Sequence, residues 1–241
     1  PAYRKGSVGE VERDDAELNS AAATVVVTEK GSESSQRAAG VVVGLLEKVS
    51  EMLEESKDEL GKLDSIAGDG DHGIGMANGS EAAAQAARAI ADQGAGVATT
   101  LSAAGDAWSD RAGGTSGALW GSLLTAIGSA LGNQNEPTLD AITDALIAGR
   151  DAVQRLGGAQ VGDKTMVDAL VPLVDAFVST DGNLKAKGEA AVAAGQAGVE
   201  STAQLVARLG RARPLGEKSL GTADPGAVSL VRVANVLVEQ I

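Results

Sequence analysis

The 241-residue chain contains no cysteine. That excludes a disulfide framework and any thiolate metal site. Aromatic residues make up 2% of it, so a core has to come from Ala, Val and Leu. These side chains let helices approach closely, and Ala and Leu favour helix. Basic residues are also few, with 20 Lys and Arg against 33 Asp and Glu, for a formal net charge of −13. Nucleic-acid backbones and anionic membranes both need basic patches, so neither is expected as a partner. No apolar run reaches the roughly 18 residues of a membrane span. No signal peptide is visible, which leaves the cytoplasm as the default location. The chain starts at Pro1, and "PAYRKGSVGEVE" does not look like a natural start. The expectation is a fragment of a longer protein.

What is present points to one fold class. Hydrophobic residues reach 44%, enough for a sizeable core in one large or two small domains. Residues 1–35 are polar and charged and read as a linker, with one apolar patch at Val25–Val27 that offers a possible strand. From Gln36 onward apolar residues recur at three- and four-residue steps. The pattern predicts eight helices, at about 36–56, 72–94, 97–110, 116–132, 138–156, 164–179, 184–208 and 226–240. Strand-like alternation is nearly absent. The class is all-α.

Short connections make sequential helices antiparallel. In an up-and-down arrangement the second, fourth, sixth and eighth helices all begin at one end. The loops preceding them are "GDGDHG", "AGGTSG", "GGAQVGDKT" and "GTADPG". Those at the other end, "DQGAG", "GNQNEP" and "TDGN", are ordinary turn chemistry. Helix N-termini attract anions through free N–H groups and the macrodipole. A rim with acids in one loop and anion-seeking amides in the others suits a metal–phosphate ligand.

The stretch "LDSIAGDGDHGIGM" (63–76) holds Gly68, Gly70 and Gly73 at the spacing G-x-G-x-x-G. A dinucleotide fold would need a strand before it, and helix and loop precede it instead. Counted as an EF-hand from Asp69, the loop has Ile74 where glycine is obligatory. Walker A is absent, since "LGEKS" (215–219) lacks its first glycine at the right distance. Asp64, Asp69 and Asp71 offer hard oxygen ligands suited to Mg²⁺, which takes one or two carboxylates plus phosphates and water. Three acids are enough for two such ions. The competing reading is a solvated acidic loop with Asp71 as a helix N-cap; the shared rim favours metal.

His72, the one histidine, reads as a helix-start residue beside a bound anion rather than a base or nucleophile. Thr115 and Ser116 stand where hydroxyls and amides reach phosphate, or simply cap a helix. Asp224-Pro225-Gly226 has the form of N-cap, Pro at N1, then Gly. Met166, Trp108 and Trp120 read as core. Arg208, Arg211, Arg213 and Lys218 form the one basic cluster, just before the last helix on the same rim.

Four stretches in order, "LDSIAGDGDHGIGM", "GGTSGALWG", "GDKTMVDAL" and "GRARPLGEKSLGTADPGAVS", resemble the nucleotide-binding (DhaL-type) domain of the dihydroxyacetone kinase family, from about Ala38 to the C-terminus. The resemblance implies a capped barrel of eight antiparallel helices. It implies that Asp64, Asp69 and Asp71 hold two Mg²⁺ ions, and that His72, Gly73, Ile74 and Gly75 follow the metal ligands and touch ATP or ADP. Thr115 and Ser116 match the phosphate-contacting pair, and Gly157 and Met166 match positions near the adenine. Arg211 and Asp224-Pro225-Gly226 match the remaining nucleotide contacts. Gly75 replaces an Asn found in relatives, and Pro214 replaces an aromatic.

The glycines then keep the loop slim beside phosphates, with metal between phosphate and carboxylate. In that family a separate DhaK-type domain holds the ketose through a histidine. The resemblance thus implies the ATP-binding part of a kinase for dihydroxyacetone or erythrulose, its partner domain on the same full-length chain. A homodimer through the full-length protein is compatible with it. Two other readings stand beside this one. One is the ADP-binding subunit of a phosphotransferase-system kinase, and the other is a nucleotide-dependent regulatory module.

Overall fold

The computed structural model describes residues 29–210 and 212–241. The Val25–Val27 patch and Arg211 lie outside the described residues. Within them every regular element is helical. The α-helices are α1 (Glu33–Glu55), α2 (Lys57–Asp64), α3 (His72–Ala91), α4 (Val97–Ala112), α5 (Gly114–Leu131), α6 (Leu139–Gly157), α7 (Val167–Ser179), α8 (Leu184–Thr202) and α9 (Pro225–Glu239), with a 3₁₀ helix at Arg213–Ser219.

The eight expected helices are all there, and α2 is an addition. Ser56 breaks α1 from α2. "KDELGKLD" buries only Leu60, so its apolar signal was too weak to announce a helix. Residues 31 and 32, read as linker, are tied down: Gly31 N donates to Gly94 O (3.0 Å) and Ser32 N to Asn133 O (2.9 Å).

The chain winds into a ring. α1 packs on α3, and each helix from α3 to α9 packs on the next. α9 then packs back on α1 and closes the ring. The inner stripe holds Val49 and Leu53 from α1, Met76 from α3, Trp108 from α4, Val153 from α6, Val174 from α7 and Leu230 from α9. Ala83, Ala87, Ala104 and Ala169 are fully buried, and so let neighbouring helices close in. Trp108 and Trp120 stack at 4.8 Å between centroids, 8° from parallel. Two of the few aromatics thus join α4 to α5.

Two helix ends differ from expectation for one reason. The helix expected from 164 starts at Val167, because Lys164 has φ +61°, outside the helical region. The helix expected to reach 208 stops at Thr202. The carbonyls of Thr202 and Leu205 accept from the Lys164 ammonium, at 2.8 and 3.2 Å. Thr202 O also takes Leu205 N (3.1 Å) in a single turn, and the α-helix does not continue.

Candidate functional site

A cavity of about 320 Å³ opens where α3, α5, α7 and α9 begin and α4 and α6 end. Asp64, Asp69, Asp71, His72, Gly75, Thr115, Ser116, Gly157, Met166, Asp224, Pro225 and Gly226 all line it. The chain thus gathers in one place residues up to 162 positions apart (Asp64 to Gly226). Gly73 and Ile74 are not part of that lining. A Cβ on Gly73 would run into the Lys57 carbonyl of α2, so this glycine permits helix packing. The Ile74 side chain is 54% exposed. Arg211 lies outside the described residues.

The acids form a true cluster. One carboxylate oxygen from each of Asp64, Asp69 and Asp71 lies within 4.8 Å of the others. Asp64, at the end of α2, is half-buried, and its Oδ2 accepts from Gly70 N (2.8 Å) and His72 N (3.4 Å). Gly70 makes the turn with φ +79°, a conformation glycine adopts without strain. Gly68 has no Cβ where one would strike the Asp64 carboxylate. The glycine triplet is therefore the packing of an acidic loop and not a dinucleotide turn. Three convergent hard oxygens on a wet rim fit Mg²⁺ by donor chemistry.

His72 is buried, and its Nε2 lies 3.0 Å from Ser229 Oγ on α9. Burial pushes its pKa below the ordinary value. Asp64, Asp71 and the Pro225 carbonyl pull the other way and do not prevail. A neutral ring locked between the starts of α3 and α9 positions both helices.

Opposite the acids, α5 begins after Gly113, which has no side chain to cap it. Thr115 and Ser116 are exposed there and face the cavity. Met166 and Trp120 supply apolar wall. Asp224 caps α9 by accepting from Ala227 N at 2.8 Å. Burial pushes its carboxyl pKa up to about 7.

Sequence reasoning missed Lys164 and Asp168. Asp168 is 2% exposed and accepts from Gly162 N (2.6 Å) and Thr165 N (2.7 Å). It thereby fixes the loop that carries Lys164 on the cavity wall. The available signal was a lysine, the one basic residue in the rim loop "GGAQVGDKT". Trp120, read as core, is core on one face and cavity wall on the other.

Comparison with known proteins follows the same lines. The chain is 47% identical to the L-erythrulose 1-kinase of Mycolicibacterium smegmatis over all of its own length and 42% of the kinase. It is 35% identical to an ADP-binding subunit DhaL of a PEP-dependent dihydroxyacetone kinase from Listeria innocua, over 82% of this chain and 92% of that subunit. The dihydroxyacetone kinase of C. freundii, solved with AMP-PNP and Mg²⁺, superposes with a TM-score of 0.65 at 26% identity, covering all of this chain and 38% of that one. The chain thus spans less than half the length of these two kinases. A family model for the DAK2 domain matches residues 66–239. The chain belongs to the DAK2-domain family, the DhaL-type domain of the dihydroxyacetone kinases.

Proposed function

We propose that this chain binds ATP or ADP with Mg²⁺ on the rim cavity and supplies the γ-phosphoryl group to a small ketose held by a separate domain. Dihydroxyacetone and erythrulose are the substrate class. The observation that carries the reading is the meeting of the acid cluster with the uncapped start of α5 on one cavity. The erythrulose kinase of M. smegmatis, matched over the whole of this chain, adds support. More than half of that kinase lies outside the match, where the family resemblance puts the ketose-binding domain.

Asp64, Asp69 and Asp71 would hold Mg²⁺, two ions in this reading. Bound there, Mg²⁺ neutralises charge that develops on the phosphoryl group during in-line transfer. The rest falls to the chain. The amides opening α5 and the hydroxyls of Thr115 and Ser116 donate to phosphate oxygens. His72, neutral and tied to Ser229, keeps the acidic loop and α9 in register. Met166 and Trp120 offer the base an apolar wall, and Asp224-Pro225-Gly226 closes the side next to it. The basic cluster that includes Arg211 adds phosphate contacts in this reading.

A second reading is favoured by the near-complete coverage of the Listeria DhaL subunit. In it the chain retains ADP, which a phosphoprotein rephosphorylates in place. Nucleotide exchange separates the two, fast for an ATP kinase and slow for a retained ADP.

The test of the main reading is a coupled ADP-release assay with dihydroxyacetone and with erythrulose. The 241-residue chain alone should bind Mg·ATP and leave free ketose untouched. Phosphoryl transfer depends on holding donor and acceptor in line, with effective molarities of about 10⁵ M in favourable cases. The only histidine lies beside the metal acids, and no second one is present to fix a carbonyl. A ketose-binding domain added in trans should restore concentration-dependent turnover. Ketose-dependent turnover by the chain alone, at the rate of the combined domains, would overturn the reading.

A further inference from the structure

Lys164 carries chemistry that the reading above does not use. It is the one non-glycine residue with positive φ among the described residues, and such a backbone usually persists only where its surroundings impose it. Its side chain is 5% exposed, in a loop that Asp168 holds from below. The ammonium donates to the carbonyls of Ser219 (2.6 Å), Thr222 (2.7 Å), Thr202 (2.8 Å) and Leu205 (3.2 Å). An ammonium has three hydrogens, so these four carbonyls share one cation much as they would share a metal ion.

The four carbonyls are not randomly chosen. Thr202 and Leu205 begin the connection from α8 to α9, and Ser219 and Thr222 end it. Other bonds sew the same two ends together. Gly221 N donates to Ala203 O (2.8 Å), Ala207 N to Ser219 Oγ (3.2 Å) and Asp224 N to Thr202 Oγ1 (2.9 Å). Between them, Leu209, Gly210 and Ala212 reach the cavity wall, as do Thr222 and Ala223 beside α9. Burial lowers the Lys164 pKa from its ordinary value, and Asp224 and Asp168 partly offset that shift.

We propose that Lys164 is a positioning residue for the nucleotide: its ammonium is a built-in cation that holds the 203–223 connection as one wall of the cavity and so sets how long the nucleotide stays bound. The proposal rests on the nucleotide reading of the cavity. Thr202 O and Ser219 O also accept from Leu205 N (3.1 Å) and Thr222 Oγ1 (2.9 Å), but all four carbonyls lose a charged donor without the ammonium, which loosens the wall before it disturbs the barrel.

The experiment uses the 241-residue chain with Mg²⁺ and a fluorescent N-methylanthraniloyl ADP, read by stopped-flow. Wild type is compared with Lys164→Met and Lys164→Ala, the latter with added propylammonium or propanol. Propylammonium replaces the atoms that Ala lacks, and propanol lacks the charge. Amide hydrogen exchange is followed in parallel on the ligand-free chains. Release should quicken at least about 10-fold in both variants, the size expected for losing charge-assisted hydrogen bonds. Propylammonium should restore slow release to Lys164→Ala, and propanol should not. Exchange should quicken across 203–223 and stay unchanged in α1, α3 and α4.

Release within about twofold of wild type would overturn the proposal, since lost charge-assisted hydrogen bonds predict more. So would faster release that propylammonium leaves unrestored. Loss of helix content in both variants would overturn it too, because the lysine would then serve the whole barrel and not the wall. If wild type fails to bind the Mg²⁺–ADP probe, the nucleotide reading falls by itself. The exchange arm then decides alone whether Lys164 holds the 203–223 wall.

Discussion

The two rims of the barrel treat their helix N-termini differently. At the far rim each one is covered by side chains. Ser32 accepts from Ser35 N, Thr138 from Ala141 N, and Asn183 from Ala186 N. α4 follows Gly96, yet Ser35 Oγ takes Val97 N and Asn133 Oδ1 takes Thr99 N. At the cavity rim Asp71, Gly113 and Met166 make no cap of their own. Asp64 Oδ2 takes His72 N at 3.4 Å, Thr165 Oγ1 takes Val167 N at 3.2 Å and Asp224 caps α9, which leaves the start of α5 as the uncovered one. A side-chain cap contributes about 1 kcal/mol. The far rim takes that stability from the chain itself. The cavity rim leaves the donors that open α5 uncovered, and in the proposed reading an anion satisfies them. In that reading the same structural element, a helix start, serves stability at one end and binding at the other.

The sharpest way to break this contrast is to remove the acids that make the open rim hospitable to an anion. Asp64→Ala, Asp69→Ala and Asp71→Ala should each weaken Mg²⁺-dependent ADP binding by at least about 100-fold, because even outer partners of metal ligands are worth 10- to 100-fold. Helix content should survive. Asp64→Ala should be the most damaging, since it also frees the amides of Gly70 and His72. Titration calorimetry is the measurement. Unchanged Mg·ADP affinity in all three variants would remove the metal assignment.

A matched pair of substitutions tests the contrast directly. Thr115→Ala with Ser116→Ala at the cavity rim should lower Mg·ADP affinity by roughly 10-fold or more, as expected for lost bonds to a charged group. The melting temperature of the ligand-free chain should hardly move. Thr138→Ala or Asn183→Ala at the far rim should do the reverse, costing about 1 kcal/mol of stability with affinity unchanged. Thermal melts beside calorimetry read both quantities. If the cavity-rim pair destabilises the ligand-free chain as the far-rim caps do, its hydroxyls are ordinary caps and the contrast disappears.

Much of this contrast was legible in the sequence, and particular residues show why the rest was not. Three- and four-residue apolar spacing located the eight ring helices, and helix parity put the acids and the "GGTSG" turn on one rim. α2 escaped because its one buried side chain, Leu60, is no pattern. That omission hid the reason for Gly73, which makes room for α2 and does not line the cavity. Lys164 escaped for a deeper reason. Its partners are backbone carbonyls 38 to 58 residues away, and carbonyls leave no mark on a sequence. Side-chain periodicity reveals who is buried, whereas a cation held by main chain appears only once the chain is folded.

The last and smallest effect concerns Asp224, the one N-cap residue on the cavity rim whose own side chain caps its helix. It combines the two roles and so carries a conflict. Its carboxylate caps α9 through Ala227 N, while burial pushes its pKa up to about 7 from the ordinary 3.8. Between those values the folded chain holds a proton that the unfolded chain has released. Stability therefore falls as pH rises through that window, and above about 7 the deficit stays constant. Asp224→Asn keeps an oxygen for Ala227 N and removes the charge. In the ligand-free chain it should melt a few degrees above wild type at pH 8, and the gain should shrink to nothing near pH 4. His72 drives the opposite trend, because burial lowers its pKa and acidification therefore destabilises the fold. Both proteins retain His72, so taking the difference between the two melting curves cancels it. A variant that melts below wild type at pH 8 would mean that the charge on Asp224 helps the fold, with Lys164 close enough to favour it. The open rim would then hold a stabilising ion pair where burial predicts a strained acid.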